Sequence, residues 1–150
     1  MNVVLGLLAN RVLLAAVLAW TIAQVIKVPL NYLLHRDWDW SLLFSAGGMP
    51  SSHTALVTGI AIGVGLQDGF SSTTFAVAAV LAAVVIYDAT GVRRHAGDHA
   101  RVLNLMIDEL LTGHPLAEKE LKEVLGHTPR EVIGGLLLGV VTAYLMLRVF

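Results

Sequence analysis

The sequence predicts an all-α fold: an integral membrane bundle of about four transmembrane helices with an amphipathic helical insertion at one face. Three observations carry that prediction. The 150 residues are 56% hydrophobic and only 14% charged, and the mean hydropathy of +0.73 lies well to the apolar side of a soluble domain. The apolar residues gather into four runs separated by sharply polar loops. Glycines recur inside those runs, where they would weaken a soluble helix but let membrane helices approach closely. A chain of this length has room for one membrane-embedded domain, residues 1–150.

The first run, Val12 to Ile26, is interrupted only by Thr21 and Gln24, and follows Asn10, Arg11 and a shorter apolar stretch. That opening stretch has no basic leader and no small-residue cleavage site, so it reads as a retained helix. The second run begins at Pro50-Ser51-Ser52-His53 and continues from Thr54 to Leu66. A polar turn, Gln67 to Ser72, leads into the third, Phe75 to Tyr87, and the fourth is Val132 to Leu147. A bilayer core asks for about 20 apolar residues per helix, and each run approaches that length with its flanks. The pairs Gly59/Gly63 and Gly135/Gly139 predict tight helix contacts, either inside one chain or between copies in a homo-oligomer.

With four spans, both long polar segments fall on one membrane face. One is the loop from Lys27 to His53, whose Trp38 and Trp40 read as anchors at the headgroup level. The other runs from Asp88 to Glu131. In it Val102, Leu103, Met106, Ile107, Leu110 and Leu111 recur at helical spacing, an amphipathic helix suited to lie on the bilayer as a lid. Gly113 and Pro115 end it, and a charged helix, Leu116 to Leu125, follows. Lys27, Arg36, Arg93, Arg94, Arg101, Lys119, Lys122 and Arg130 lie on the loop face, against Arg11 and Arg148 on the other. Positive loops stay inside, so that face is expected in the cytoplasm of a bacterial inner (plasma) membrane, with both termini outside.

Composition also excludes whole classes of function. A net charge of −1 offers no broad cationic surface for nucleic acid. The absence of cysteine removes disulfides, thiolate metal sites and cysteine nucleophiles.

Three polar clusters stand at helix mouths on the loop face. Gly47-Gly48-Met49-Pro50-Ser51-Ser52-His53 leads into a helix whose free N–H groups and dipole favour an anion. Gly48 lets the chain fold close to a ligand, and His53 stands where it can give up a proton. Taken alone, the run is an ordinary serine-capped helix start. Asp88 to Arg94 closes the third span. Arg93 and Arg94 are planar forks that suit phosphate oxygens, or snorkelling residues at the headgroups, and Asp88 near the boundary needs a partner or a function. Gly126-His127-Thr128-Pro129-Arg130-Glu131-Val132 opens the fourth span. His127 and Glu131 are four apart, so the carboxylate can hold one ring nitrogen and leave the other to attack. Each cluster alone is weak, and their meeting at one face is the argument.

These residues resemble the type 2 phosphatidic acid phosphatase superfamily, relatives of the vanadium haloperoxidases, and more closely its short divergent branch of bacterial and plant membrane proteins. Pro50-Ser51-Ser52-His53 is similar to the superfamily's Pro-Ser-Gly-His, and His127 to Glu131 is similar to its His-x-x-x-Asp. The resemblance spans Lys27 to Gly139. Besides serine for glycine at Ser52 and glutamate for aspartate at Glu131, it departs in spacing: Lys27 and Arg36 are nine apart where the pattern has seven, and Arg93 and Arg94 stand more than thirty residues before His127. The resemblance implies a metal-independent, cofactor-free lipid phosphatase acting on a phosphate monoester or anhydride. In it, His127 would be the nucleophile that becomes phosphohistidine, Glu131 its orienting carboxylate and His53 the proton donor. Lys27, Arg36, Arg93, Arg94 and the backbone of Ser51 and Ser52 would hold the phosphate, with Gly48 and Asp88 in support. The partners implied are the bilayer and a lipid substrate, with phosphatidate, phosphatidylglycerol phosphate and prenyl phosphates or pyrophosphates all fitting.

Two other readings compete. The same bundle would serve as a module that binds or transports a phospholipid headgroup without cleaving it. A metal site is the third reading: His95 and His99 stand four apart with Asp98 nearby, but no third ligand is in sequence reach.

Overall fold

The computed structural model describes residues 2–45, 47–91, 97, 99–100, 102–107 and 127–149. Five helices form from the apolar runs: α1 (Val3–Ala9), α2 (Arg11–His35), α3 (Ser52–Asp68), α4 (Thr73–Thr90) and α5 (Pro129–Tyr144), the last continuing as a π-helical turn, Leu145–Val149. Among the described residues there is no strand. Three helices among the described residues are long and apolar enough to cross a membrane: α2, α4 and α5 with its continuation. The fourth long helix, α3, has 17 residues, about 25 Å of rise, and is the most enclosed.

Every long helix starts on a side-chain oxygen. Asn10 accepts from the Leu13 N–H, Ser51 from Thr54, Ser72 from Phe75 and Thr128 from Glu131. Such caps satisfy first-turn N–H groups that have no helical carbonyl behind them. The requirement is severe in lipid, which offers no replacement partner.

Helix α3 lies at the centre, packed on α2, α4 and α5. Glycine makes the closest approaches possible. A methyl group at Gly135 would stand 2.3 Å from the Ser51 carbonyl oxygen, and one at Gly139 2.7 Å from that of Ala55. Along α3, Gly59 and Gly63 face Ala16 and Val12 of α2. Both predicted glycine pairs therefore serve contacts inside one chain.

Lys27 departs from the sequence expectation. The sequence puts it at the start of a polar loop, but α2 runs two further turns to His35, so Lys27 stands within the helix and is 1% exposed. An isolated lysine does not end a helix whose neighbours Val28, Leu30 and Leu33 continue the apolar pattern, and Lys is itself a good helix former. The chain then turns at Arg36, whose φ of 61° is left-handed, and passes through a 3₁₀ turn, Trp40–Leu43, before Gly48 at φ 85°. The Met49–Pro50 peptide is cis.

At the far end of the bundle, the Arg148 guanidinium donates to the Leu66 carbonyl at 3.4 Å and Arg11 donates to that of Met146. The two cations assigned to the opposite membrane face thus stand together, away from the loop face. In the insertion, residues 102–107 are helical, with Asn104 turned inward and Val102, Leu103 and Met106 exposed. That is the disposition of a helix with an apolar side toward lipid. The rest of the expected stripe, the charged helix 116–125, Arg93, Arg94, His95, Asp98, Arg101, Lys119 and Lys122 lie outside the described residues.

Candidate active site

Backbone bonds draw three helix ends into one corner. The Ser51 N–H donates to the Glu131 carbonyl at 2.9 Å, joining the start of α3 to the first turn of α5. The His127 N–H donates to the Ala89 carbonyl at 2.9 Å, joining the approach to α5 to the last turn of α4. His53, Asp88 and His127 are thereby brought to the same end of the bundle.

The Glu131 carboxylate has two duties. One oxygen, Oε2, accepts from the Thr128 N–H at 3.3 Å and closes a capping box with the Thr128 hydroxyl. The same oxygen lies 2.7 Å from His127 Nδ1. Pro129 at the helix start leaves no N–H there to satisfy. The frame around His127 is therefore built by local helix-start chemistry. His127 itself is 4% exposed, so its ring has little freedom to leave that carboxylate.

The half-buried His53 sits one residue inside α3. Its ring centroid is 6.3 Å from that of His127, with the planes 51° apart. The two histidines that the sequence separates by seventy-four positions (127 − 53 = 74) therefore face one small volume.

Beside them a cavity of about 240 Å³ opens between the second half of α2 and the start of α5. Lys27, Asn31, His35, Thr128, Arg130 and Glu131 supply its polar lining. Lys27 reaches it with its stem against Gly48, where a methyl group would stand 3.8 Å from Lys27 Cδ. Its ammonium donates to the Ser45 carbonyl at 3.1 Å, and a buried cation of this kind needs both such bonds and nearby negative charge. Sequence reasoning missed Asn31, His35 and Arg130 as parts of this site. Asn31 stands four residues after Lys27, one turn along the same helix, a signal readable only once α2 is known to extend that far.

Two expected phosphate ligands stand differently. Arg36 does not line the cavity, and its guanidinium lies 5.8 Å from the Tyr32 ring centroid. Tyr32 in turn stacks on Trp38 at 4.5 Å, and Trp38 on Trp40 at 6.0 Å. With both tryptophans more than half exposed, this is the aromatic platform expected at the headgroup level. Ser51 has its N–H bound to Glu131 and its hydroxyl occupied by Thr54. The Ser52 N–H stands in the first turn of α3, where no intrahelical carbonyl lies behind it. No group of three His, Asp or Glu side chains among the described residues is arranged to hold a metal ion.

Comparison with known proteins adds two matches. Residues 8–142 match the model of the divergent PAP2 family. The chain is also 49% identical over 153 residues to the uncharacterized membrane protein YuiD of Bacillus subtilis (strain 168), an alignment covering 92% of this chain and 97% of that protein. No solved structure matches.

Proposed function

The chain belongs to the divergent PAP2 family, and from that premise we propose that it is an integral membrane lipid phosphatase working through a phosphohistidine. The observation that carries this reading is the His127 Nδ1–Glu131 Oε2 contact of 2.7 Å facing the His53 ring across 6.3 Å. With Nδ1 held by the carboxylate, Nε2 keeps the lone pair for attack. Centroids this far apart let both imidazoles address one phosphoryl group, which attack requires at about 3–3.5 Å.

In the first step, Nε2 of His127 bonds to phosphorus as the bond to the lipid oxygen breaks, and His53 protonates the departing alkoxide. In the second, His53 takes a proton from water as it attacks phosphorus, the N–P bond breaks and phosphate leaves. Lys27 and the Ser52 N–H, joined by Arg93 and Arg94 as the resemblance implies, balance charge on the equatorial oxygens. Positioning and charge of this kind supply most of what phosphoryl transfer asks of a protein. The lysine and arginine count assigns this face to the cytoplasm. A cysteine at Gln67 is then labelled from outside intact cells and one at Lys119 is not.

The test is released phosphate from a panel of lipid phosphates in nanodiscs, with and without EDTA, for the protein and for His127→Asn. Turnover that survives EDTA and vanishes in the variant supports the reading. Binding without turnover makes the chain a headgroup-binding module instead. The two histidines separate by leaving group. His53→Asn keeps phosphoenzyme formation from nitrophenyl phosphate, whose leaving group needs no proton, and loses it for a lipid phosphate. Phosphohistidine found on His53 reverses the assignment.

A further inference from the structure

The cavity between α2 and α5 holds more positive charge than its own walls balance. Lys27 and Arg130 both line it, and Glu131 is the one carboxylate among its lining residues. That carboxylate is already engaged, with Oε2 on His127 Nδ1 and on the Thr128 N–H. Lys27 is 1% exposed, yet its hydrogen-bond partner is a neutral group, the Ser45 carbonyl at 3.1 Å. Among the described residues no carboxylate pairs with Arg130. With Lys27 buried and Arg130 and His35 exposed, the two permanent cations stand at the inner end and at the mouth.

Arg130 is also badly placed for stability. It is the second residue of α5, where the helix dipole and the free N–H groups disfavour a cation. Its neighbours serve the helix start: Thr128 and Glu131 close the capping box, and Pro129 has no N–H to satisfy. The Arg130 side chain takes no part in that cap. Its planar fork suits two oxygens of one phosphate. A phosphomonoester has a charge of about −1.5 to −2 at pH 7, which balances Lys27 and Arg130 together. A phosphodiester, with a single charge, balances only one of them. Arg36, the arginine expected for this task, does not line the cavity and lies against the Tyr32 ring.

We propose that Arg130 is a phosphate-binding residue of this chain, meeting a phosphomonoester dianion at the cavity mouth while Lys27 meets it from within. That the phosphate belongs to a substrate rests on the phosphatase reading; its binding is tested without turnover. The pair of cations then selects a monoester from the phosphodiester headgroups that surround it in a bilayer.

The probe is inorganic phosphate, titrated calorimetrically into the full chain in detergent, with ionic strength held constant by chloride. Arg130→Gln should weaken binding about tenfold or more, the loss of one charge-assisted contact. Arg130→Lys returns the charge without the fork and should recover part of the affinity. Arg148→Gln, at the far end of the bundle, should change nothing. Repeating the titration in phosphatidylcholine nanodiscs, with and without phosphatidate, separates the two sources of phosphate. Competition by phosphatidate assigns the site to a lipid headgroup, and binding that phosphatidate leaves untouched assigns it to the free ion, with Arg130 the ligand in both. Undiminished binding in Arg130→Gln overturns the proposal, as does an equal loss in Arg36→Gln or no phosphate binding by the unaltered chain. Phosphate bound through Arg130 without release from any lipid keeps Arg130 in its role and removes the phosphatase reading. Lipid turnover at unchanged KM in Arg130→Gln does the reverse.

Discussion

Helices α2 and α4 are both membrane-crossing, yet they are held in opposite ways. In the most apolar stretch of α2, 44% of residues are buried in the bundle, against 17% for α4. The α2/α3/α5 side contains the glycine contacts and the buried polar residues Gln24 and Lys27. The α4 side offers three buried alanines, Ala78, Ala82 and Ala89, and beyond them a groove between α4 and α5. Close packing thus falls where a charged side chain and an ordered histidine must be held, and loose packing where lipid meets the chain. Polar groups in lipid demand fixed partners, because nothing in the solvent replaces a lost one. Apolar contacts between helix and lipid are interchangeable with those between helices.

The largest expected effect strikes the close-packed side. Gly135→Leu drives side-chain atoms into the Ser51 backbone and Thr54, where no flexible side chain can yield, so no folded protein should be recovered in detergent. Ala79→Leu, an enlargement only one carbon smaller on the α4 side, should leave a folded protein with a melting temperature within a few degrees. Equal damage from both would erase the distinction between the two sides.

Next comes Glu131→Gln. The amide can still accept the Thr128 N–H, but it replaces the carboxylate at His127 Nδ1. Phosphoenzyme formation should fall on the order of a hundredfold while thermal stability changes little. Thr128→Ala does the reverse: it removes the cap and costs about 1 kcal/mol of stability, with a far smaller kinetic effect. If the two variants behave alike, Glu131 serves the helix start alone.

Lys27→Met sharpens the comparison further. Removing the ammonium leaves the Ser45 carbonyl without its donor, a loss of about 1 kcal/mol or more, so unfolding in denaturant should be modestly easier. The KM for a lipid phosphate should rise by about tenfold or more, for loss of one charge-assisted contact. A destabilised variant with unchanged KM would make Lys27 a structural strut.

The smallest effect is expected at Arg36→Gly. Glycine relieves a left-handed residue by about 1 kcal/mol and loses a cation–π contact of about 0.5–1 kcal/mol, so the melting temperature should hardly move. Turnover should change less than about twofold, since far smaller free energies than one charge-assisted bond are involved. A tenfold loss would return Arg36 to the phosphate set.

Much of this molecule was legible in its sequence. The apolar runs fixed four long helices because a bilayer admits backbone only when its hydrogen bonds close within the segment. Ser51, Ser72 and Thr128 marked three of their starts because unsatisfied first-turn N–H groups need a nearby oxygen. The His127–Glu131 pairing followed from spacing, since residues four apart at a helix start share one side. Tertiary structure decided the rest. Lys27 became a buried wall of the cavity because α2 outran its apolar stretch, and Arg36 was turned onto Tyr32 by the left-handed step that ends that helix. Ser51 lost its backbone donor to Glu131, a contact that only the Gly135 approach permits. The meeting of His53 with His127 depends on α3 packing along α5 and on the Ala89 carbonyl that ties His127 to α4. No spacing encodes that choice, because it is made by which small residues happen to face one another across three helices.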